Sequence, residues 1–176
     1  EERGQAQAIA TNLARMSRMK VPIICICIGE GGSGGALGIG VGDRFAMLEF
    51  AYYSVISPEG CAAILWRDGA QAPQAAEALK LTSKDLHELG LIDAVIAEPV
   101  GGAHRSAHDT AYNVERYIAQ TLAELRHTSP AKLLENRYRR WRSVGSSFTS
   151  EMGPQTVQGT AGIKATSSSK PRLSQY

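Results

Sequence analysis

The sequence predicts an α/β fold, because short apolar stretches of strand character alternate with helical patterns along most of the chain. The clearest stretch is 21–28, an apolar and β-branched run that ends abruptly in a glycine-rich turn at 29–35. Small residues at 36–41 then favour a closely packed helix. Two further strand candidates follow at 44–49 and 53–57.

Helical patterns with recognisable ends surround these strands. The expected helices are 5–19, 58–65, 73–79, 84–89, 108–126 and 130–141, and a last short strand is expected at 91–96. Ile9, Leu13 and Met16 form an apolar stripe along the first helix. Ser83 is the expected N-cap of the helix that Gly90 ends.

The glycine turn at 29–35 leaves backbone N–H groups free at the start of a helix, where the helix dipole also favours negative charge. It is therefore expected to hold a group that is anionic or becomes anionic. Three chemistries fit: a dinucleotide phosphate site, a nucleophile elbow, and an oxyanion hole formed by the amides of Gly34 and Gly35. A fourth interpretation is that the glycines only let a helix pack closely on a strand.

A dinucleotide site is suggested by Gly29, Gly31 and Gly34, which satisfy G-x-G-x-x-G after a strand, with Glu49 placed for a ribose. The length of the following helix argues against it, because only residues 36–43 separate the turn from the next strand. Such a helix rises about 12 Å, whereas six or seven strand residues run about 20 Å. A crossover this short is expected to return along its own sheet only with difficulty.

A nucleophile elbow is suggested by the G-x-S-x-G motif at 31–35. Ser33 would be the nucleophile, with Asp93 and then His104 downstream in the order that hydrolases use. None of the four histidines stands in a distinctive setting, so this assignment lacks a clear general base.

Separated blocks of sequence favour the oxyanion hole. Residues 29–37 read G-E-G-G-S-G-G-A-L and 53–62 read Y-S-V-I-S-P-E-G-C-A; further blocks lie at 1–5, 64–66, 72–73, 91–93, 98–99 and 101–105. In order and spacing, residues 1 to about 145 resemble the α subunits of the bacterial and plastid multi-subunit acetyl-CoA carboxylase carboxyltransferase. The resemblance implies the crotonase-like (ClpP/crotonase) fold, with repeated ββα units and a helical C-terminal part.

The resemblance also implies a reaction, the transfer of a carboxyl group from carboxybiotin to acetyl-CoA, which gives malonyl-CoA for fatty acid synthesis. Negative charge develops on the ureido oxygen of biotin as CO2 leaves, and the family's paired glycines, which stabilise it, correspond to Gly34 and Gly35. Gly31, Gly32 and Ser33 are then expected to lie against biotin, with Ser33 a small turn residue. The basic biotin nitrogen can take the proton from acetyl-CoA, so no side-chain base is required.

The implied partners are a carboxyltransferase β subunit, in an α2β2 assembly, the biotin carboxyl carrier protein and biotin carboxylase. The β subunit is expected to hold the thioester oxygen and the zinc ribbon, so no metal is expected in this chain. A cytoplasmic enzyme is implied. Two other functions stay open: a crotonase-like hydrolase or isomerase that acts on an acyl-CoA alone, and an inactive scaffold that binds the β subunit.

Composition fits this class of protein and excludes others. The chain is 43% hydrophobic and 20% charged with a net charge of +2, so neither a nucleic acid nor a membrane is an expected partner. Cys25 and Cys27 alternate with isoleucines in a strand candidate, and Cys61 is the third cysteine. We expect small apolar thiols in a reducing compartment rather than a disulfide or a zinc site.

Two charged clusters stand outside the glycine turn. His104 and Arg105 could contact an anion such as a phosphate of coenzyme A, and a loop or subunit contact is an equally good interpretation. The second cluster consists of Arg137, Arg139, Arg140 and Arg142. It is expected to lie at an interface with an acidic partner, because the sequence carries no nucleic-acid module.

The domain organisation follows from the same comparison. Residues 1–142 are expected to be the C-terminal portion of a crotonase-like carboxyltransferase domain, with further strands upstream in full-length members. Residues 143–176 are rich in Ser, Thr and Gly without an apolar period, which predicts a disordered tail.

Overall fold

The computed structural model describes residues 3–145, apart from the side chains of residues 37 and 39. Its helices are α1 Gln5–Ser17, α2 Ser33–Gly40, α3 Pro58–Trp66, α4 Ala72–Leu79, α5 Ser83–Glu88, α6 Ala107–Leu125 and α7 Pro130–Ser143. The strands are β1 Ile24–Cys27, β2 Glu30–Gly32, β3 Arg44–Leu48, β4 Tyr52–Ser54 and β5 Ala94–Ile96. Short 3-10 turns lie at Gly69–Gln71 and Ala103–Arg105. The predicted alternation of strands and helices is confirmed.

The strands form two parallel sheets. The larger has the order β1-β3-β5, with Cys25 opposite Phe45 and Met47 opposite Val95. The smaller pairs β2 with β4, and Gly31 lies opposite Tyr53. Parallel strands are covered on their faces, which agrees with the continuous burial of β3 from Phe45 to Leu48.

The short crossover between β1 and β3 does return along its own sheet, contrary to expectation. β1 has four residues and so runs only about 13 Å, while the eight residues of α2 rise about 12 Å. Helix and strand therefore match in length. The length of the crossover is not an argument against a dinucleotide site.

Part of the predicted glycine turn is a strand. Residues 30–32 form β2 because their backbone pairs with β4, and α2 begins at Ser33 rather than at residue 36. Gly34 and Gly35 consequently belong to the first turn of α2. The junction between β2 and α2 contains no intervening loop residue, which fixes where these two backbone amides lie.

Two other local predictions need correction. Thr82, not Ser83, caps α5: its hydroxyl oxygen accepts a hydrogen bond from the Asp85 amide at 3.3 Å. The buried Ser83 hydroxyl instead donates to the Glu49 carbonyl at 2.5 Å. The strand expected at 53–57 is shorter, because Ser57 caps α3 by accepting from the Gly60 amide.

The ends of the described region bear on the remaining predictions. α7 runs through Ser143, one residue past the expected boundary, and residues 146–176 of the expected tail lie outside the described residues. Between residues 3 and 145, every helix is too short or too polar to traverse a lipid bilayer.

A buried ion pair joins helix α7 to the start of β3. Arg137 of α7 and Asp43, just before β3, have side chains 2% and 3% exposed and lie 2.7 Å apart. Asp43 also accepts from the Ile23 amide at 2.8 Å, and Arg137 donates to the carbonyls of Met16 and Met19. Arg137 therefore bonds within its own chain, and its predicted place at a partner interface is wrong.

This network predicts a large stability difference between two arginines of α7. Arg137→Met leaves the Asp43 carboxylate buried without a cation, so the free energy of unfolding should fall by about 3–5 kcal/mol. The matched change Arg139→Met removes only an exposed pair with Glu135 and should cost less than about 1 kcal/mol. Urea unfolding of the full-length protein measures both, and equal losses would contradict the assignment.

Candidate active site

The centre of the candidate site is the junction between β2 and α2. Ser33, the first residue of α2, has a positive φ of 52°, although it is not a glycine. This conformation turns the chain sharply from the strand into the helix and is a strained one for a serine. The helix has Gly32 as N-cap without a side-chain hydrogen bond to its first turn. Its first amides therefore keep their hydrogen-bonding capacity for another group.

Gly34 and Gly35 are open to their surroundings. A Cβ atom added at either position would meet no described atom within 4 Å outside the helix itself. Gly35 is exposed and Gly34 is half-buried. The predicted amide donors therefore lie at an accessible helix start, and a larger side chain there would fill free space rather than clash.

A cavity of about 770 Å³ opens beside this junction. From the glycine segment it is lined by Gly31, Gly32 and Ser33, the three residues predicted to lie against biotin. The apolar part of the lining consists of Val55, Ile56, Pro58, Ala76 and Leu81. Gly34 and Gly35 are not among the lining residues. The residues predicted to contact biotin thus line the cavity, and the two predicted amide donors follow them directly along the chain.

Acidic and hydroxyl groups supply the polar part of the cavity. Glu30 and Glu59 line it together with Tyr52, Ser54 and Ser57. A hydrogen bond to Glu30, followed by slight burial and the charges of Glu30 and Glu59, raises the pKa of Tyr52. No lysine or arginine lines the cavity among the described residues. Its electrostatic character disfavours a phosphate and suits a neutral ligand with an apolar face.

Gly31 has a packing reason to be glycine. A Cβ atom there would lie 2.7 Å from Cδ2 of Tyr53 and 3.2 Å from Sγ of Cys27. The Tyr53 hydroxyl in turn donates to the Ala36 carbonyl of α2 at 2.5 Å. Tyr53 was not predicted as a site residue, because it only opens the sequence block at 53–62 and belongs to no catalytic motif.

The residues required by the other two chemistries have other roles. The Asp93 carboxylate accepts from the Phe45 amide at 2.6 Å and from Arg140 at 3.0 Å, so it joins β3 to α7. The Glu49 carboxylate accepts from the Glu98 amide at 3.2 Å. Neither acid lines the cavity, and the four histidines, at 87, 104, 108 and 127, are also absent from its described lining.

The loop with His104 and Arg105 is held by its own backbone. Gly101 and Gly102 have positive φ values of 89° and 99°, and Glu98 accepts from the Ala103 amide at 2.6 Å. His104 and Arg105 are exposed on the following 3-10 turn. They are not part of the cavity, and their predicted contact with an anion stays a prediction.

Cys25 and Cys27 are buried thiols, and Cys61 is half-buried. Burial raises the pKa of Cys25 to about 11, and it also raises the pKa of Cys27. Over residues 3–145 the side chains of His, Cys, Asp and Glu make no group of three that could hold a metal ion.

Comparison with known proteins decides the family. Residues 1–145 match the family model described as acetyl co-enzyme A carboxylase carboxyltransferase-like. The chain belongs to this family. The acetyl-coenzyme A carboxylase carboxyl transferase subunit alpha of Coxiella burnetii (strain Dugway 5J108-111) is 59% identical over 145 residues, which are 82% of this chain and 46% of that protein. The chain thus spans about half the length of the curated relatives it matches.

Solved structures confirm the crotonase-like fold class. A Pseudomonas malonate decarboxylase hetero-tetramer in complex with coenzyme A superposes with a TM-score of 0.62 at 19% identity, covering 86% of this chain and 60% of that one. Transcarboxylase 12S, with hydrolysed methylmalonyl-coenzyme A bound, gives a TM-score of 0.57 at 21% identity, covering 71% and 22%. At these identities the likeness concerns the fold alone.

The raised pKa of Cys25 predicts an unreactive thiol. With a pKa of about 11, about one Cys25 thiol in a thousand is ionised at pH 8. Alkylation by iodoacetamide should therefore be at least about 100-fold slower in the folded protein than in urea, and should quicken as the pH rises towards 11. Mass spectrometry of the labelled peptides measures this, with the half-buried Cys61 as internal control. Labelling of Cys25 as fast as Cys61 would contradict the burial.

Proposed function

We propose that this chain supplies the biotin-binding half of an acetyl-CoA carboxyltransferase site. In that reaction a carboxyl group passes from carboxybiotin to acetyl-CoA and gives malonyl-CoA. The observation that carries the proposal is the open first turn of α2, where Gly34 and Gly35 present uncapped amides directly beside a cavity. Family membership supports the same reaction.

The amides of Gly34 and Gly35 would act on the oxygen that becomes negative. Carboxybiotin supplies the carboxyl group, and negative charge gathers on its ureido oxygen as that group leaves. Two N–H groups at the start of a helix point along the dipole and need no reorganisation when the charge appears. Removal of one such donor typically costs a factor of about 10²–10³ in rate. This contribution would be the chain's main part in the chemistry.

The cavity beside Ser33 fits the uncharged ring system of biotin. Its volume of about 770 Å³ exceeds what a bicyclic ring needs, and its lining joins apolar side chains to backbone and hydroxyl groups. Glu30 and Glu59 would repel the phosphates of coenzyme A. The acidic lining therefore favours biotin over the nucleotide end of acetyl-CoA at this position, with Gly31, Gly32 and Ser33 against the ring.

The proposal includes partners. The relatives are named as α subunits, and the malonate decarboxylase neighbour is a hetero-tetramer, which supports a second subunit for this chain as well. We assign the thioester oxygen of acetyl-CoA to that β subunit, in an α2β2 assembly. Biotin would arrive on a carrier protein charged by biotin carboxylase, and the enzyme would work in the cytoplasm.

A hydrolase is the second candidate, because one observation favours it. The positive φ of Ser33 between a strand and a helix is the geometry of a nucleophile elbow. The described cavity lining holds no histidine that could act as general base for Ser33. The Asp93 carboxylate instead accepts hydrogen bonds from Phe45 and Arg140. Ser33→Ala therefore distinguishes the two functions, since it would abolish hydrolysis, whereas carboxyl transfer needs no hydroxyl nucleophile and would continue.

Reverse carboxyl transfer tests the proposal directly. Full-length gene product, co-purified with its β subunit, should transfer the carboxyl group of malonyl-CoA to a free biotin derivative. Gly34→Val should reduce this rate by at least about 100-fold, because the side chain would occupy the space next to the amides. The fold should persist, since no described atom outside the helix itself lies within 4 Å of the added Cβ.

The matched control is Gly38→Val on the same helix. Gly38 has equally open surroundings, so valine there weakens α2 to a similar extent without obstructing its first turn. It should retain most of the activity. Equal losses in both variants would attribute the effect to helix stability, and near-normal turnover in Gly34→Val would remove these amides from the reaction. Turnover of an acyl-CoA without the β subunit would favour the hydrolase or isomerase.

A further inference from the structure

The side chain of Tyr53 spans the whole unit formed by β2 and α2. At one end, its ring lies under Gly31, where an added Cβ would come within 2.7 Å of Cδ2. At the other end, its hydroxyl lies beside Gly40, where an added Cβ would come within 3.0 Å. Gly31 precedes the turn and Gly40 ends the helix, so one side chain contacts both limits of the segment that carries the open amides.

The hydroxyl of Tyr53 also bonds to the middle of the helix. It donates to the carbonyl oxygen of Ala36 at 2.5 Å. Ala36 follows Gly35 directly and is completely buried. The bond therefore acts on the peptide group that follows Ala36, within one helical turn of the two amides, in a helix whose first turn has no side-chain cap. Burial raises the pKa of Tyr53, so the hydroxyl keeps its proton and remains a donor near neutral pH.

The tyrosine is itself held by the core. Its ring packs edge-to-face on Phe45, with ring centroids 4.9 Å apart and an interplanar angle of 68°. Its backbone amide donates to the Leu81 carbonyl at 3.0 Å, and its strand pairs with β2. Core, small sheet and helix α2 therefore meet at this residue. A group fixed on three sides can impose its own position on a glycine-rich helix.

We propose that Tyr53 is a positioning residue for carboxyl transfer, which through its hydrogen bond to Ala36 sets the direction of the Gly34 and Gly35 amides. The expected effect of Tyr53 on the rate rests on the proposed function. Its expected effect on the direction of the two amides is independent of that function. Tyr53 is not among the residues that line the cavity. Its contribution is the alignment of donors, for which a displacement of about 1 Å can cost about 100-fold in rate.

The test replaces the hydroxyl alone. Tyr53→Phe in the full-length complex keeps the ring under Gly31 and removes the bond to Ala36. We expect kcat for reverse transfer to fall about 10- to 100-fold, with KM for the biotin derivative changed by less than about 3-fold. Tyr117→Phe is the matched control, because Tyr117 is another half-buried tyrosine on the core, carried by α6. It should keep kcat within about 2-fold.

A second readout does not depend on activity. In protein labelled with 15N-glycine, the amide cross-peaks of Gly34 and Gly35 should move in Tyr53→Phe and stay in place in Tyr117→Phe. Gly40→Ala provides an independent perturbation: alanine favours the helix, yet its Cβ would press on the Tyr53 hydroxyl and on the Trp141 ring, each at 3.0 Å. It should move the same two cross-peaks and lower kcat although residue 40 lies at the far end of α2.

The outcomes separate the two claims. Unmoved Gly34 and Gly35 cross-peaks in Tyr53→Phe would overturn the positioning role, whatever the reaction. Moved cross-peaks with kcat within about 2-fold of the parent would overturn its importance for the reaction. A parent complex without transfer activity would refute the proposed function, and moved cross-peaks would then still establish that Tyr53 orients the amides.

Discussion

Helix α2 has an amino-acid composition that disfavours a helix, and the candidate site depends on how its neighbours hold it. Four of its eight residues are glycine, each less favourable than alanine by about 1 kcal/mol in a helix interior. The surrounding contacts therefore have to stabilise a helix that its own residues favour only weakly. They come from Tyr53, which bonds to Ala36, and from Trp141 of α7, whose ring lies 3.0 Å from the Cβ that alanine would add at Gly40. The glycines keep the first turn open for a ligand, and the aromatic side chains keep it in one place.

Much of the fold could be predicted from the sequence, because its signals are local. The apolar run before Gly29, the stripe of Ile9, Leu13 and Met16, and Pro130 in a first turn each mark an element that the structure contains. The errors arise where tertiary pairing decides. β2 forms because its backbone pairs with β4, where Gly31 lies opposite Tyr53. Ser83 does not cap α5, because its hydroxyl donates a hydrogen bond to the distant Glu49 carbonyl. The return of the short crossover likewise depends on the length of β1, which pairing with β3 determines.

The candidate site was predictable in part for a related reason. A glycine turn after a strand indicates free amides, and the resemblance of the surrounding blocks distinguished an oxyanion hole from the alternatives. The cavity could not be foreseen, because Val55, Pro58 and Leu81 also line it, and local patterns do not connect them to residues 31–33. The same holds for Arg137. An arginine among other arginines is expected to lie on the surface. Arg137 is instead buried with Asp43, which lies 94 positions away in the sequence, so no local pattern connects the two residues.

The central claim concerns one oxygen atom and two amides. A crystal structure of the full-length α and β complex with a bound biotin derivative tests it most directly. The account predicts that the bicyclic ring lies in the cavity beside Ser33, with its ureido oxygen about 2.7–3.1 Å from the amide nitrogen of Gly34 or Gly35. A ring bound elsewhere, or a ureido oxygen that points away from the first turn of α2, would contradict it.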